Sequence, residues 1–373
     1  MRVLIDYRPA LRERTGAGEF VHQIAAALAR HAALKIDVTV FTSSWKDRLR
    51  PSARRELGPA EAVDVRIPVR MLNLGWHRLG WPPIELVARR RFDVVHAAHP
   101  LAIPSTRAAQ VITIHDLHFL DFPSHTEAEI RRDYPGLVRR HAERADMIIV
   151  PSHHTGRLIR QRLGISHDRI ALCRPGAPAW ADRIASAREP RDIVFLGTLE
   201  PRKNIGVLLD AYTRLLDAGR PVPDLVLGGK ATAAARGWLD RLTRPPLAGH
   251  VRHLGYVETD QRLELYRRAR LLVLPSLDEG FGLPVLEAMA CGVPVVVSTR
   301  GSLPEVAGSA GLLVDPEDVD GWAGAIQRML EDDPFAAASA ASGRLRVREM
   351  TWDHAAEALK QAYEHALVAR QAR

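Results

Sequence analysis

Residues 278–294 read DEGFGLPVLEAMACGVP. Glu279 and Glu287 stand eight positions apart, around Gly280-Phe281-Gly282 and an apolar run that stops at Gly292. An ionised carboxylate only accepts hydrogen bonds, so each glutamate is suited to hydroxyl groups. Pro284 fits the first turn of a helix and Gly292 the position just past its end. Gly280, Phe281, Gly282 and Leu283 then bring backbone N–H groups to a helix N-terminus, where an anion is stabilised. The glycines let the main chain approach a ligand closely. Glutamates near a helix start also stabilise the helix dipole by ~0.3–1 kcal/mol with no ligand at all. Here the setting favours a ligand: a buried strand, Leu271–Pro275, comes before and the strand Val293–Ser298 after. Hydroxyls at two ends with phosphates between them describe a nucleotide-sugar.

A second set of residues supplies positive charge. GTLEPRKN (197–204) follows the strand candidate Asp192–Gly197 and carries Gly197, Arg202 and Lys203. The chain has only five lysines, at 35, 46, 203, 230 and 360, and otherwise uses arginine. A lysine in such a loop reads as a point charge for a specific anion. When a sugar–phosphate bond breaks, charge builds on the leaving diphosphate, and a fixed cation stabilises it. In the first half, TGAGEF (15–20) places Gly16 and Gly18 some distance after the first strand. A dinucleotide fingerprint needs glycines directly after the strand and a third one, so this reads as close backbone approach to a diphosphate or acceptor. His115, followed by Asp116, ends a buried strand and is a cleft residue; His96, His99, His118 and His153 receive no role. No metal-ligand cluster is visible and no Asp-x-Asp pair stands in a loop after a strand, which points to metal-independent chemistry with cations and a helix N-terminus in place of a divalent ion.

These residues need a frame, and β-branched runs alternate with amphipathic ones from end to end. Strands are expected at Arg2–Tyr7, Lys35–Thr42, Asp93–Ala97, Val111–His115, Met147–Pro151 and Arg169–Cys173, then at Asp192–Gly197, Asp224–Gly228, Val251–Leu254, Leu271–Pro275 and Val293–Ser298. Helical patterns intervene, such as Glu19–Arg30, Thr259–Arg268, Leu283–Cys291 and Val319–Glu331. This is the pattern of βαβ units, an α/β chain of parallel sheets covered on both faces. The polar stretch Ala185–Arg191 reads as a linker between two doubly wound domains, with the ligand cleft between them at the strands' carboxyl ends. The expected division is 1–186, 190–350 and a long C-terminal helix over 351–373 that packs back toward the N-terminal domain.

A length of 373 residues fits two domains. No run approaches ~18 apolar residues, and the first strand, which contains Asp6, does not read as a signal peptide. Cys173 and Cys291 are the only cysteines and lack metal-like spacing, which fits a reducing, cytoplasmic setting. Residues 1–190 hold 30 Lys+Arg and 20 Asp+Glu, a net of +10, against 22 and 24, a net of −2, for the remainder. The basic half favours anionic partners. Segment 66–91 joins Arg66, Arg70, Arg78 and Arg89–Arg91 to Trp76 and Trp81, a combination suited to a membrane surface or a lipid-diphosphate acceptor. A nucleic-acid binder would share the high pI, but no nucleic-acid motif is present.

The segment PSLDEGFGLPVLEAMACGVPVVVSTRGSLPEVAG closely resembles the donor-binding motif of retaining glycosyltransferases of the GT-B fold, in the large family four. GTLEPRKN resembles that family's diphosphate loop, VRHLGYVETDQRLELYRRARLLVLPS (251–276) its nucleotide-side strand-helix-strand, TGAGEF its N-domain glycine loop and ITIHDL (112–117) its active-site histidine segment. By matching position, the resemblance implies that Glu279 holds a donor-sugar hydroxyl. It implies that the N–H groups of Phe281, Gly282 and Leu283 hold sugar or phosphate oxygens and that Glu287 binds the ribose hydroxyls. Lys203 and Arg202 would neutralise the diphosphate, and His115 would touch the donor sugar. Thr198 stands where many members carry arginine. The activity implied is a metal-independent, retaining hexosyltransferase without a bound cofactor. GTLEPRKN and LNLGWHRLGWPP (72–83) look most like mannosyltransferases of cell-surface polysaccharide assembly using GDP-mannose, with UDP-glucose or another UDP-sugar as the other donor. The acceptor would be a saccharide or lipid-linked saccharide. Glycogen-synthase-like enzymes and nucleotide-sugar epimerases share the architecture.

Overall fold

The computed structural model describes residues 1–11, 14, 16–121, 128–178, 192–219 and 221–372, with backbone alone for 121 and 128–133. The chain divides into two compact units, Met1–Gly176 with Trp352–Arg373, and Ala177–Thr351. The linker expected at 185–191 lies outside the described residues.

The first unit is built on seven strands: β1 (Arg2–Asp6), β2 (Asp37–Ser43), β3 (Glu61–Val65), β4 (Val94–Ala97), β5 (Ala109–Thr113), β6 (Met147–Val150) and β7 (Ile170–Leu172). They form one sheet in the order β3-β2-β1-β4-β5-β6-β7, and its pairs are parallel. The inner strands are near-continuous apolar runs, such as VLI in β1 and MIIV in β6, because helices cover both faces and leave no polar side. The C-terminal helix Trp352–Gln371 belongs to this unit. Its Ala355, Ala356, Leu359, Ala362, Tyr363 and Ala366 fall at three- and four-residue spacings and are buried. Tyr363 Oη lies 2.8 Å from His96 Nδ1, and His96 Nε2 lies 2.7 Å from Thr113 Oγ1. His96 is therefore a structural histidine inside the sheet.

The second unit holds β8 (Asp192–Leu196), β9 (Asp224–Gly228), β10 (Val251–Gly255), β11 (Ala269–Leu274), β12 (Val295–Ser298) and β13 (Gly311–Val314), in the order β10-β9-β8-β11-β12-β13. All of these pairs are parallel too. Both sheets are thus doubly wound. The order reverses between β1 and β4 in the first and between β8 and β11 in the second, and the carboxyl ends of those neighbours form the ligand crevice of such sheets. β3 and β13 carry no signal in the sequence reading. They are edge strands, only half-buried, so their apolar pattern is diluted. The helix Asp333–Val347 is also absent from that reading, because its alanine-rich face lacks a strong apolar stripe. Its start is fixed by Asp332, whose carboxylate accepts from Phe335 N at 3.0 Å.

Candidate functional site

In the second unit, the reversal between β8 and β11 sets two loops side by side. Gly197 leaves β8, and Pro201–Lys203 forms a single 3-10 turn that ends at Asn204 in the left-handed conformation. Asn204 Nδ2 donates to Pro275 O at 3.2 Å and Pro316 O at 2.7 Å, which fixes this turn to the end of β11. Leu277 N donates to Arg202 O at 2.8 Å and Arg202 Nη1 to Asp278 O at 3.1 Å, locking the two loops together. Residues 76 positions apart thereby share one site.

Three of the expected site residues converge there. Lys203 Nζ donates to Glu279 Oε1, and Arg202 Nη1 to Glu279 Oε2 at 3.1 Å. Ser276 Oγ also donates to Glu279 Oε1, at 2.8 Å. Arg202 is steered from behind by Glu200 Oε1, at 3.2 Å from Nε and 2.9 Å from Nη2. Lys203 and Glu279 are both buried. Burial alone would raise the Glu279 pKa, but Lys203 and Arg202 outweigh it and hold the carboxyl below the usual range, so it is ionised at neutral pH. Burial pulls the Lys203 pKa below an ordinary lysine's, opposed by Glu279. The result is a compact charge cluster with one cation on each oxygen of a fixed carboxylate.

The glycine turn behaves as its sequence requires. Gly282 has φ +96°, and a Cβ there would lie 2.7 Å from Leu303 Cδ2. It caps the helix Leu283–Ala290, with Pro284 in the first turn, and Gly292 follows at φ +66°. Gly280, Phe281 and Gly282 are buried beside Glu279. Close approach also shapes the ends of β8 and β9: a Cβ on Gly229 would stand 2.0 Å from Gly197 O.

Glu287 lies one turn into that helix, buried, with two partners that sequence reasoning did not assign. Arg262 Nη1 donates to Oε1 at 2.8 Å and Tyr266 Oη to Oε2 at 2.9 Å. Both come from the helix Thr259–Arg268. Their four-residue spacing, one face of one helix, is the signal that could have found them.

The first unit holds the other expected residues. Gly16 and Gly18 are not in a loop: they form the first turn of the helix Gly16–Arg30. His115 lies two residues past β5, which begins and ends two residues earlier than the strand expected to end on it. Its Nε2 is 3.3 Å from Ala98 O, and its ring packs edge-on against Phe20 of the Gly16–Arg30 helix, with centroids 5.3 Å apart. Burial lowers its pKa, so it is neutral at pH 7. A further cluster sits where β1 and β4 end. Asp6, fully buried, accepts from Arg8 Nε at 2.8 Å and Nη2 at 2.6 Å and lies 2.9 Å from His99 Nε2. His99, given no role in the sequence, belongs to this group.

Residues 190–332 match the family model described as Glycosyl transferases group 1, and residues 14–179 the model Glycosyltransferase Family 4. The chain is 32% identical over 309 residues to the O-antigen chain mannosyltransferase B of Escherichia coli, covering 77% of this chain and 79% of that one. It is 36% identical over 401 residues to the D-inositol 3-phosphate glycosyltransferase of Corynebacterium jeikeium strain K411, covering 96% and 93%. Its fold is like that of sucrose-phosphate synthase from Thermosynechococcus elongatus, with a TM-score of 0.76 at 24% identity and 99% coverage of both chains. It is also like HepE from Anabaena solved with UDP-glucose, with a TM-score of 0.70 at 18% identity and 98% coverage of both. The matched motifs, the two doubly wound sheets and the relatives at 32% and 36% identity together show that this chain belongs to glycosyltransferase family 4 and is a hexosyltransferase of the GT-B fold.

Proposed function

We propose that this enzyme moves a hexose from a nucleotide-sugar, with mannose from GDP-mannose as the first candidate and a UDP-sugar as the other. The transfer retains anomeric configuration, uses no metal ion, and delivers to a saccharide or lipid-linked saccharide acceptor in cell-surface polysaccharide synthesis. The observation that carries the reading is the pair Lys203 and Arg202, set side by side against Glu279 at the β8–β11 reversal. In this reading the donor diphosphate lies against both cations and the N–H groups of Phe281, Gly282 and Leu283. Glu279 takes a hydroxyl of the sugar, Glu287 the ribose hydroxyls, and Gly197 allows close approach. As the bond from the anomeric carbon to phosphate oxygen breaks, Lys203 and Arg202 stabilise the charge on the leaving diphosphate. Before the donor arrives, Glu279 holds both cations in place, so little reorganisation is needed. By likeness to the family, His115 is assigned to the donor sugar and Gly16 and Gly18 to the diphosphate or the acceptor.

Mannose and the polysaccharide acceptor are supported by likeness to the E. coli O-antigen enzyme. Cys173 and Cys291 are buried thiols outside any disulfide, which suits the cytoplasmic side of a membrane. A second reading, transfer to a small phosphorylated polyol such as inositol phosphate, is favoured by the greater identity and span of the C. jeikeium match. The test incubates the enzyme with GDP-mannose and UDP-sugars in turn, with polyprenyl-linked saccharides or inositol phosphate as acceptor. Nucleoside diphosphate release and NMR of the product are followed. The expected result is GDP release that requires a lipid-linked acceptor, giving a product with the donor's anomeric configuration. Release only with inositol phosphate establishes the second reading, and no consumption of any nucleotide-sugar overturns both.

A further inference from the structure

Of the twelve large apolar side chains exposed among the described residues, six lie between Val69 and Leu86. Met71, Leu74, Leu79, Trp81 and Leu86 are each 57% to 74% exposed, so the concentration is real and not a scatter of single residues. The backbone that displays them is well anchored. The helix Val69–Leu74 runs on through a π-helical turn, Gly75–Leu79; Gly80 reverses the chain at φ +64°, and Ile84–Ala88 forms a second short helix. The inner side is packed by Leu72, Trp76 and Ile84. Trp76 Nε1 donates to Pro82 O at 2.9 Å, and the Arg8 guanidinium lies over the Trp76 ring, 4.8 Å from its centroid. Arg8 Nη1 also donates to Asn73 Oδ1 at 2.9 Å, which ties the hairpin to the carboxyl end of β1. The outward apolar side chains are therefore presented by a fixed hairpin and not by a loose loop.

Charge accompanies them. Arg70, Leu74 and Arg78 succeed one another about one turn apart, and both arginines are exposed. Arg66, Arg89 and Arg91 are exposed at the ends of the segment, while Arg90 is engaged by Glu61. Glu85 is the one carboxylate in 66–91, and it is turned toward Ser105 Oγ and Thr106 N. An apolar face rimmed by cations and without an exposed anion matches the interface of an anionic bilayer, where acyl chains meet negative headgroups. A nucleic acid would use the cations and stack a base on Trp81, but has no use for Met71, Leu74, Leu79 and Leu86.

We propose that this hairpin, through Met71, Leu74, Leu79 and Trp81 with Arg70 and Arg78, docks the enzyme on an anionic lipid surface. The inference deepens the proposed function and rests on it, because a bilayer is where a lipid-linked saccharide resides. It also puts that surface beside the carboxyl end of β1, where Arg8, Asp6 and His99 meet.

The test is co-sedimentation of the full chain with vesicles of phosphatidylcholine alone or mixed with phosphatidylglycerol, at low and high salt, with calorimetric titration of GDP and UDP in parallel. The wild type is expected to sediment with the anionic vesicles and to be released by salt. Leu74→Ser with Trp81→Ser should weaken vesicle affinity at least roughly tenfold, since both apolar side chains leave the acyl boundary. Arg70→Gln with Arg78→Gln should weaken it about 25-fold, roughly fivefold per arginine. Leu345→Ser, at an exposed leucine of the other unit, should change nothing. Circular dichroism and unchanged nucleotide binding show that the variants are folded. Binding that is equal on neutral vesicles, absent in the wild type, or unaltered by both double variants overturns the proposal. Vesicle binding with no nucleotide binding overturns the donor reading instead.

Discussion

Replacing Lys203 by methionine keeps most of the stem that packs against Gly197, where a Cβ would lie 3.5 Å from Lys203 Cε, and removes the charge. Loss of a preorganised cation aimed at developing charge costs about 100- to 1000-fold in turnover, or roughly 2.7–4 kcal/mol. The same change also acts on stability, because Lys203 is buried against Glu279. Removing one member of a buried pair costs about 3–5 kcal/mol when the other is left alone. Glu279 keeps Arg202 at 3.1 Å and Ser276 at 2.8 Å, so the cost falls to about 2–3 kcal/mol, a fall in Tm of roughly 5–10 °C for a unit of this size. The double variant Lys203→Met/Glu279→Gln separates the effects: it removes the stranded carboxylate and recovers much of the stability, while turnover stays low. The assay is initial-rate nucleoside diphosphate release with saturating donor, alongside calorimetric melting. Turnover within a few-fold of the wild type in Lys203→Met would refute the role given to this lysine.

Glu287→Ala should weaken nucleoside diphosphate binding and also destabilise the second unit, since Arg262 and Tyr266 both lose their carboxylate partner. Tyr266→Phe removes one hydrogen bond to Glu287, worth about 1 kcal/mol of stability, and should leave most nucleotide affinity in place; titration calorimetry and melting check both. Gly282→Ala forces a left-handed residue and a methyl against Leu303, so a loss of about 1–3 kcal/mol and weaker donor binding are expected in the same two measurements. Acid should unfold the first unit early. Burial holds His96 neutral with a pKa of about 3, so the unfolded chain takes up a proton below about pH 6.5 while the fold does not. Stability is complete above that pH and falls as pH drops toward 3, by about 2 kcal/mol at pH 5 from His96 alone. Calorimetry at pH 7 and pH 5 reads this directly, and an unchanged first-unit transition would contradict it.

Much of the frame was legible in the sequence, because buried parallel strands must be continuous apolar runs and the helices between them must be amphipathic. The edge strands β3 and β13 were not, since half-exposed strands mix polar and apolar residues. The types and spacing in DEGFGLPVLEAM marked the candidate site, and Gly282 and Gly292 carry the positive φ that their positions demanded. The meeting of Lys203 with Glu279 could not be read from spacing. It follows from β8 and β11 being neighbours, a property of strand order. The same holds for Asp6 with His99, brought together by β1 beside β4, and for Glu287 with Arg262 and Tyr266 on a separate helix.

The central claim is that the β8–β11 reversal binds a nucleoside diphosphate through Lys203 and Arg202. Titration calorimetry of GDP and UDP into the wild type and Lys203→Met tests it most directly. The account predicts saturable binding of at least one of the two nucleotides, weakened in the variant and insensitive to added chelator. Absence of binding by both nucleotides in the folded wild type, or equal affinity in the variant, would contradict it.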